Sequence, residues 1–198
     1  MTPKRIFVLN GHPGETSLCR TLAEAYADGA RAAGHEVRVT HLHDLDFDMD
    51  YGLGGYTNRK PLEPCLDTDV IAQMEWCEHM VTVAPMWWGG LPAKLKGLFD
   101  RALLPGRAFD TRNTNLVGMP KPLLTGRTAR VIMTSDSPSW FMRLMYGNAI
   151  VRQLRGQIFG FIGFARTRVT WLSGASHPAE ALVEKWQGRS AALGHAAA

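Results

Sequence analysis

The chain has 198 residues, 45% hydrophobic and 20% charged, the balance of a globular protein long enough for one well-filled core. Its net charge of +4 at pH 7 is mild, and its arginines stand singly with no accompanying nucleic-acid motif, which argues against a nucleic-acid partner. No apolar run approaches the roughly 18 residues of an integral membrane span.

Arg5-Ile6-Phe7-Val8-Leu9-Asn10 reads as a central strand. Met1 to Arg5 leads straight into it, which implies no signal peptide. The loop Gly11-His12-Pro13-Gly14-Glu15-Thr16-Ser17 follows, and then Leu18, Leu22, Ala25, Tyr26 and Ala30 recur at helical spacing up to Gly34. A helix N-terminus with Thr16 and Ser17 hydroxyls is a natural phosphate site. A simple N-cap by Thr16 or Ser17 explains the same residues. The loop is neither G-x-G-x-x-G nor G-x-x-x-x-G-K-[ST], which argues against a Rossmann dinucleotide site and a nucleotide triphosphatase.

Val37 to Leu42 is the second strand. Beyond it, Asp46, Asp48 and Asp50 imitate the start of a calcium loop. Tyr51, however, stands where glycine is required and Thr57 where glutamate is required. His41 and His43 alternate but are too few to define a metal site, so no metal is expected. Gly52 to Pro64 reads as a long surface loop. Asp67 or Thr68 is the expected cap of a helix to about Glu78.

Met80-Val81-Thr82-Val83-Ala84 is the third strand, short and β-branched. Pro85-Met86-Trp87-Trp88-Gly89-Gly90 follows as a loop, and Pro92 opens a helix to Leu104. In an open parallel sheet, ligands bind in such loops at the carboxyl ends of strands. Gly89 and Gly90 let a ligand approach the main chain, and Trp87 and Trp88 are flat surfaces beside it. That composition suits a flat heterocycle with polar edges, such as an isoalloxazine. The alternative is that the tryptophans close the core. Trp87 is the one expected to pack, and Trp88, beside Gly89, the one expected to meet the ligand.

Pro105 to Thr125 carries Gly, Pro and Asn without periodicity and reads as a long loop. Thr128 to Thr134 is the fourth strand, ending in the polar-aromatic loop Ser135-Asp136-Ser137-Pro138-Ser139-Trp140. A helix broken at Gly147 and resuming to Ile158 follows. Arg166 to Leu172 is the fifth strand, and Pro178 opens a last helix to about Leu193. Alternating strands and helices give an α/β fold. Ligand loops after strands 1, 3 and 4 favour the flavodoxin-like five-stranded parallel sheet, order 2-1-3-4-5, with helices on both faces and one domain over residues 1–198.

Charge is unevenly placed. Residues 1–100 carry 9 Lys/Arg against 14 Asp/Glu, and residues 101–198 carry 13 against 4, so the second half can face an anionic ligand such as a phosphate-bearing cofactor, or an acidic surface. Cys19, Cys65 and Cys77 are odd in number and form no C-x-x-C. They suggest a reducing cytoplasm without disulfides or zinc.

Pro85-Met86-Trp87-Trp88-Gly89-Gly90-Leu91-Pro92-Ala93, with Leu95-Lys96-Gly97 and Asp100-Arg101, resembles the central stretch of flavin-dependent NAD(P)H quinone reductases of the modulator of drug activity B group. Gly11-His12-Pro13 with Thr16-Ser17 is a second match. The resemblance runs from Ile6 to about Trp186. It implies a flavin, FMN or FAD, with its phosphate on His12, Thr16, Ser17 and the backbone of Leu18 and Cys19. The ring would lie along Pro85, Met86, Trp87, Trp88 and Gly89, bonded mainly through backbone N–H groups, with Ser135 and Asp136 contributing from the fourth strand's loop. The family often has Asn where Cys19 stands. Its Thr-Thr-Gly-Gly loop is replaced here by Thr134-Ser135-Asp136-Ser137, and its Tyr/His pair is not recognisable; Tyr146 is the substitute expected as catalytic residue. The resemblance also implies NAD(P)H as co-substrate, a quinone, nitroaromatic or azo acceptor, and a homodimer. A flavodoxin-type electron carrier and a flavin-binding regulatory subunit of a partner, such as a potassium-efflux system, are the rival readings. The net basic charge speaks against a carrier with an acidic docking face.

Overall fold

The computed structural model describes residues 2–50 and 60–197. The surface loop expected over Gly52 to Pro64 therefore lies, up to residue 59, outside the described residues. Strands β1 (Arg5–Asn10), β2 (Glu36–His41), β3 (His79–Pro85), β4 (Phe109–Thr114), β5 (Pro120–Pro122), β6 (Thr128–Ser135) and β7 (Arg166–Ser173) divide into two sheets. The main sheet has the order β2-β1-β3-β6-β7 and all its pairings are parallel. Counting its five strands alone, this is the expected order 2-1-3-4-5. β3 is buried along its whole length, as a central strand covered on both faces must be.

Helices cover both faces. They are α1 (Leu18–Ala32), α2 (Pro64–Leu66), α3 (Ala72–Trp76), α4 (Ala93–Ala102), α5 (Ser139–Tyr146), α6 (Ala149–Arg152) and α7 (Glu180–Ala196). The period of two along β1 splits the core. Ile6 and Val8 pack with Leu22, Tyr26 and Trp186 under α1 and α7. Phe7 and Leu9 pack with Leu95, Leu98 and Phe159 on the other side. α1 and α7 meet backbone to backbone because two glycines permit it. A Cβ on Gly29 would lie 2.0 Å from the Ala191 carbonyl oxygen, and one on Gly194 would lie 2.0 Å from that of Tyr26.

Three local expectations are corrected. The stretch 105–125 is not a plain loop: β4 and β5 form an antiparallel hairpin with an irregular ladder between Asp110 and Thr114. The second expected helix starts at Pro64, not at Asp67 or Thr68, and passes through a π-helical turn at Asp67–Ile71 before α3 ends at Trp76. After α6 the chain is again π-helical, over Gln153–Gly160. The break between α5 and α6 falls at Gly147 and Asn148, both left-handed. Asp48 and Asp50 pair with the ammonium of Lys60 at 2.5 and 3.2 Å, and His41 Nε2 with Glu24 at 3.1 Å.

Candidate functional site

The carboxyl ends of β1, β3, β6 and β7 share one edge of the sheet, and their loops wall two adjoining cavities. The first, of about 250 Å³, is lined from the β1 side by His12, Thr16, Ser17, Leu18 and Cys19. Its chemistry follows from the start of α1. Ser17 is the N-cap, and its Oγ accepts from the Arg20 N–H at 3.1 Å, which leaves the hydroxyl hydrogen free to donate. Leu18 and Cys19 hold the first two helical positions, where N–H groups have no partner within the helix. His12 Nδ1 accepts from the Gly14 N–H at 3.0 Å, so the ring proton sits on Nε2. The His12 N–H itself is anchored on the buried Asn10 Oδ1 at 3.2 Å. The Cys19 thiol turns inward, 3.4 Å from Thr134 Oγ1, and burial pushes it up to about 11. Cys19 therefore offers the cavity its main-chain N–H only.

Pro85, Met86 and Trp87 form the wall on the β3 side. Pro85 has no N–H. That of Met86 donates to the Thr134 carbonyl at 2.8 Å. Trp87 and Gly90 exchange hydrogen bonds of 3.0 and 2.9 Å and so close a two-residue turn. Its corners, Trp88 (φ +53°) and Gly89 (φ +76°), are both left-handed, the signature of a type I′ turn. The N–H groups left without a partner among the described residues are thus those of Trp88 and Gly89, which narrows the expected set of backbone donors. Neither tryptophan seals the core. Trp88 is fully exposed, and Trp87, expected to pack, is 44% exposed and stands edge-on to the His12 ring at 5.5 Å.

From β6 come Ser135 and Asp136, which line both cavities. The Ser135 carbonyl accepts from the Gly174 N–H at 2.7 Å. The Asp136 carboxylate accepts from the Ser176 hydroxyl at 2.5 Å and the Ser176 N–H at 2.8 Å, which hold it below the usual carboxylate range. These bonds brace the β6 loop against the β7 loop and bring Ala175 and Ser176 into the first cavity's wall. Sequence reasoning expected ligand loops after strands 1, 3 and 4 and did not name the loop after β7, which lines the first cavity with them. The same rule, applied to Ser173-Gly174-Ala175-Ser176 at the end of β7, finds it.

The second cavity, of about 680 Å³, continues from the first through Met86, Ser135 and Asp136. Trp88 and Gly89 stand on one side and Phe141, Met142 and Tyr146 of α5 on the other. Tyr146 is exposed here, its ring edge-on to Phe141 at 6.0 Å. One compartment thus gathers hydrogen-bond donors at a helix N-terminus, and the next offers flat and apolar walls.

The chain is similar to NAD(P)H dehydrogenase [quinone] 1 of Rattus norvegicus, at 25% identity over 185 residues, covering 83% of this chain and 66% of that protein. It is 30% identical over 152 residues to an FMN-dependent NADH:quinone oxidoreductase of Xanthomonas oryzae pv. oryzae, covering 76% and 74%. Among solved structures, the NAD(P)H:quinone oxidoreductase of Methanothermobacter marburgensis has the same fold, with a TM-score of 0.79 at 22% identity over 98% of this chain and 96% of that one. The chain spans between 57% and 66% of the length of the first curated relatives it matches. A family described by its flavodoxin-like fold matches residues 4–193, and with the sheet order and the strand-end cavities in place, the chain belongs to that family.

Proposed function

We propose that this protein is an NAD(P)H-dependent flavoprotein oxidoreductase, passing hydride through a bound flavin to a flat electron-poor acceptor such as a quinone, nitroaromatic or azo compound. The observation that carries the reading is the order of the two compartments. A donor cradle at a helix N-terminus opens directly into a flat-walled cavity, the order of phosphate and ring in FMN. The residues fit that group. His12 Nε2–H, the Thr16 and Ser17 hydroxyls and the N–H groups of Leu18 and Cys19 would hold the phosphate. The acidic wall residue, Asp136, has both oxygens occupied by Ser176, so its part is to brace the loop. Bound there, the flavin supplies the redox chemistry. Trp88 and Gly89 would offer their N–H groups to the ring's polar edge, where preorganised donors stabilise developing negative charge. Pro85, Met86 and Trp87 would wall the ring without donating, and Tyr146 Oη would be a proton-bearing group on the acceptor's compartment, beside the Ser135 and Ser137 hydroxyls.

FMN is the flavin of this reading, supported by the name of the Xanthomonas relative. The chain would act as one domain, as a cytoplasmic homodimer. The apolar residues Leu116, Val117 and Met119, exposed at the tip of the β4–β5 hairpin, favour self-association. Among the described residues no helix is long and apolar enough to cross a membrane. The test is FMN titration of the folded protein, followed by NAD(P)H oxidation with a quinone and no partner protein. Folded protein that takes up no flavin overturns the reading. Flavin uptake without NAD(P)H oxidation turns it into a regulatory subunit.

A further inference from the structure

The loop that carries His12 is held from behind. Asn10 ends β1 and is fully buried. It lies beside His41, its register partner at the end of β2, and Glu24 of α1 stands on the far side of that imidazole. None of the three belongs to the walls of the two site cavities, yet their side chains join in one line. The Asn10 amide nitrogen is 3.4 Å from His41 Nδ1, and His41 Nε2 is 3.1 Å from the Glu24 carboxylate.

The direction of every bond in that line follows from one main-chain donor. The His12 N–H can only donate, so the Asn10 oxygen faces it, at 3.2 Å. The other side of the amide is then its NH2 group, which also only donates. His41 Nδ1 must therefore accept, and its ring proton sits on Nε2, against the Glu24 carboxylate. A ring carrying its proton on Nδ1 would set donor against donor at Asn10 and push the amide away from the His12 N–H. Leaving that buried amide without a partner is costly in either case. His12 itself is fixed twice, its N–H on Asn10 and its Nδ1 on the Gly14 N–H at 3.0 Å. Together these two bonds set where its Nε2–H stands in the wall of the first cavity.

We propose that His41 is a positioning residue for the phosphate cradle. It touches no ligand. Acting through Asn10, it fixes the main chain at His12 and with it the ring donor that His12 gives to an oxyanion in the first cavity. Taking that oxyanion to be the flavin phosphate rests on the flavin reading; the line from Glu24 to His12 does not. An asparagine bound to the N–H two residues on is also a self-contained turn, and in that case His41 would only satisfy a buried amide. The two roles differ in what happens at His12 when His41 is replaced.

His41→Leu removes the acceptor, and His41→Asn puts an oxygen close to where Nδ1 stood. Each protein is titrated with FMN and with riboflavin, which has the ring but no phosphate. In His41→Leu the preference for FMN over riboflavin should fall about tenfold, the worth of one charge-assisted hydrogen bond, with riboflavin affinity unchanged. His41→Asn should keep most of the preference. Glu24→Ala, at a half-exposed position on α1 where folding tolerates the change, frees the ring at its other end. It should lose a smaller part of the preference in the same way, and it carries the test if His41→Leu does not fold. In flavin-free protein, amide exchange followed by NMR should quicken at His12 and stay unchanged at Val8 in the middle of β1. An unchanged preference, equal weakening of both flavins, or His41→Asn as defective as His41→Leu overturns the proposal, and so does unchanged exchange at His12. A wild type that binds neither flavin, with exchange at His12 quickened in His41→Leu, would defeat the flavin reading and leave the role of His41 standing.

Discussion

Trp88 separates the structural and functional readings of the tryptophan loop. It occupies the first corner of a type I′ turn at φ +53° and is fully exposed. A side chain with a Cβ in the left-handed region costs roughly 1–2 kcal/mol, and nothing in the free chain offsets it by burial. Asparagine is at home at this corner, so Trp88→Asn should stabilise the flavin-free protein by about 1 kcal/mol, the strain released. For a chain of this size that is a rise in Tm of roughly 2–4 °C. A tryptophan sealing the core would behave oppositely, losing about 3–5 kcal/mol on truncation and with it on the order of 10 °C. The same variant removes one wall of the second cavity, so FMN affinity should fall or flavin reduction by NAD(P)H should slow. The measurements are calorimetric melting of flavin-free protein, FMN titration and stopped-flow reduction on both proteins. A fall in Tm of more than about 5 °C would show that Trp88 is packing after all. A raised Tm with unaltered FMN affinity and reduction rate would show that it has no part in the site.

Ser17→Glu places a carboxylate among the donors of the first cavity. FMN titration should show binding lost, while the flavin-free protein gives up no more than the roughly 0.5–2 kcal/mol of a lost cap; undiminished affinity would move the phosphate elsewhere. Gly29→Ala drives a methyl onto the Ala191 carbonyl, 2.0 Å away. Urea unfolding should show a loss of about 1–3 kcal/mol or more from overpacking, and unchanged stability would mean that α1 and α7 part easily. His79 is held neutral down to about 3 by burial, then by Lys4, Arg130, Arg168 and His35, against an ordinary value of 6.5. The unfolded chain therefore takes up a proton that the folded one refuses, so this stability is complete above about 6.5 and is lost as pH falls towards 3. Between pH 6 and 4.5, wild type should lose about 1.4 kcal/mol per pH unit more than His79→Gln; parallel slopes would mean that His79 is protonated in place.

The main sheet was legible because its strands are short apolar runs bounded by turn residues, and β1, β3 and β6 begin and end within a residue of where their sequence places them. The hairpin was not legible, for a physical reason. β5 reads Pro120-Lys121-Pro122, and prolines argue against a strand. Its partner β4 reads Phe109-Asp110-Thr111-Arg112-Asn113-Thr114, mostly exposed, so neither strand shows the alternation that burial of one face imposes. The π-helical turns at Asp67–Ile71 and Gln153–Gly160 leave no periodic trace either. In the site, residue types pointed to a donor-rich helix start and to an aromatic, glycine-bearing loop, and both line the first cavity. Which N–H groups remain free could not be read, because that depends on pairings such as Met86 with Thr134, made between strands far apart in the chain.

The register of the tryptophan turn shows how such a pairing decides chemistry. From Trp87-Trp88-Gly89-Gly90 alone, the permissive residues invite corners at Gly89 and Gly90, where left-handed backbone costs nothing. The corners are instead Trp88 and Gly89, one residue earlier. The Met86 N–H is already bound to the Thr134 carbonyl on β6, which fixes where the loop leaves the sheet, and Pro92 fixes where α4 begins. With both ends held, Trp87 faces Gly90, and the strain falls on Trp88. That register leaves the N–H groups of Trp88 and Gly89 outside the turn's own bonds, beside the second cavity. An asparagine at the corner would relieve the strain and keep both donors in place. Loss of flavin affinity or reduction rate in Trp88→Asn therefore reports on the indole itself, not on the backbone it sits on.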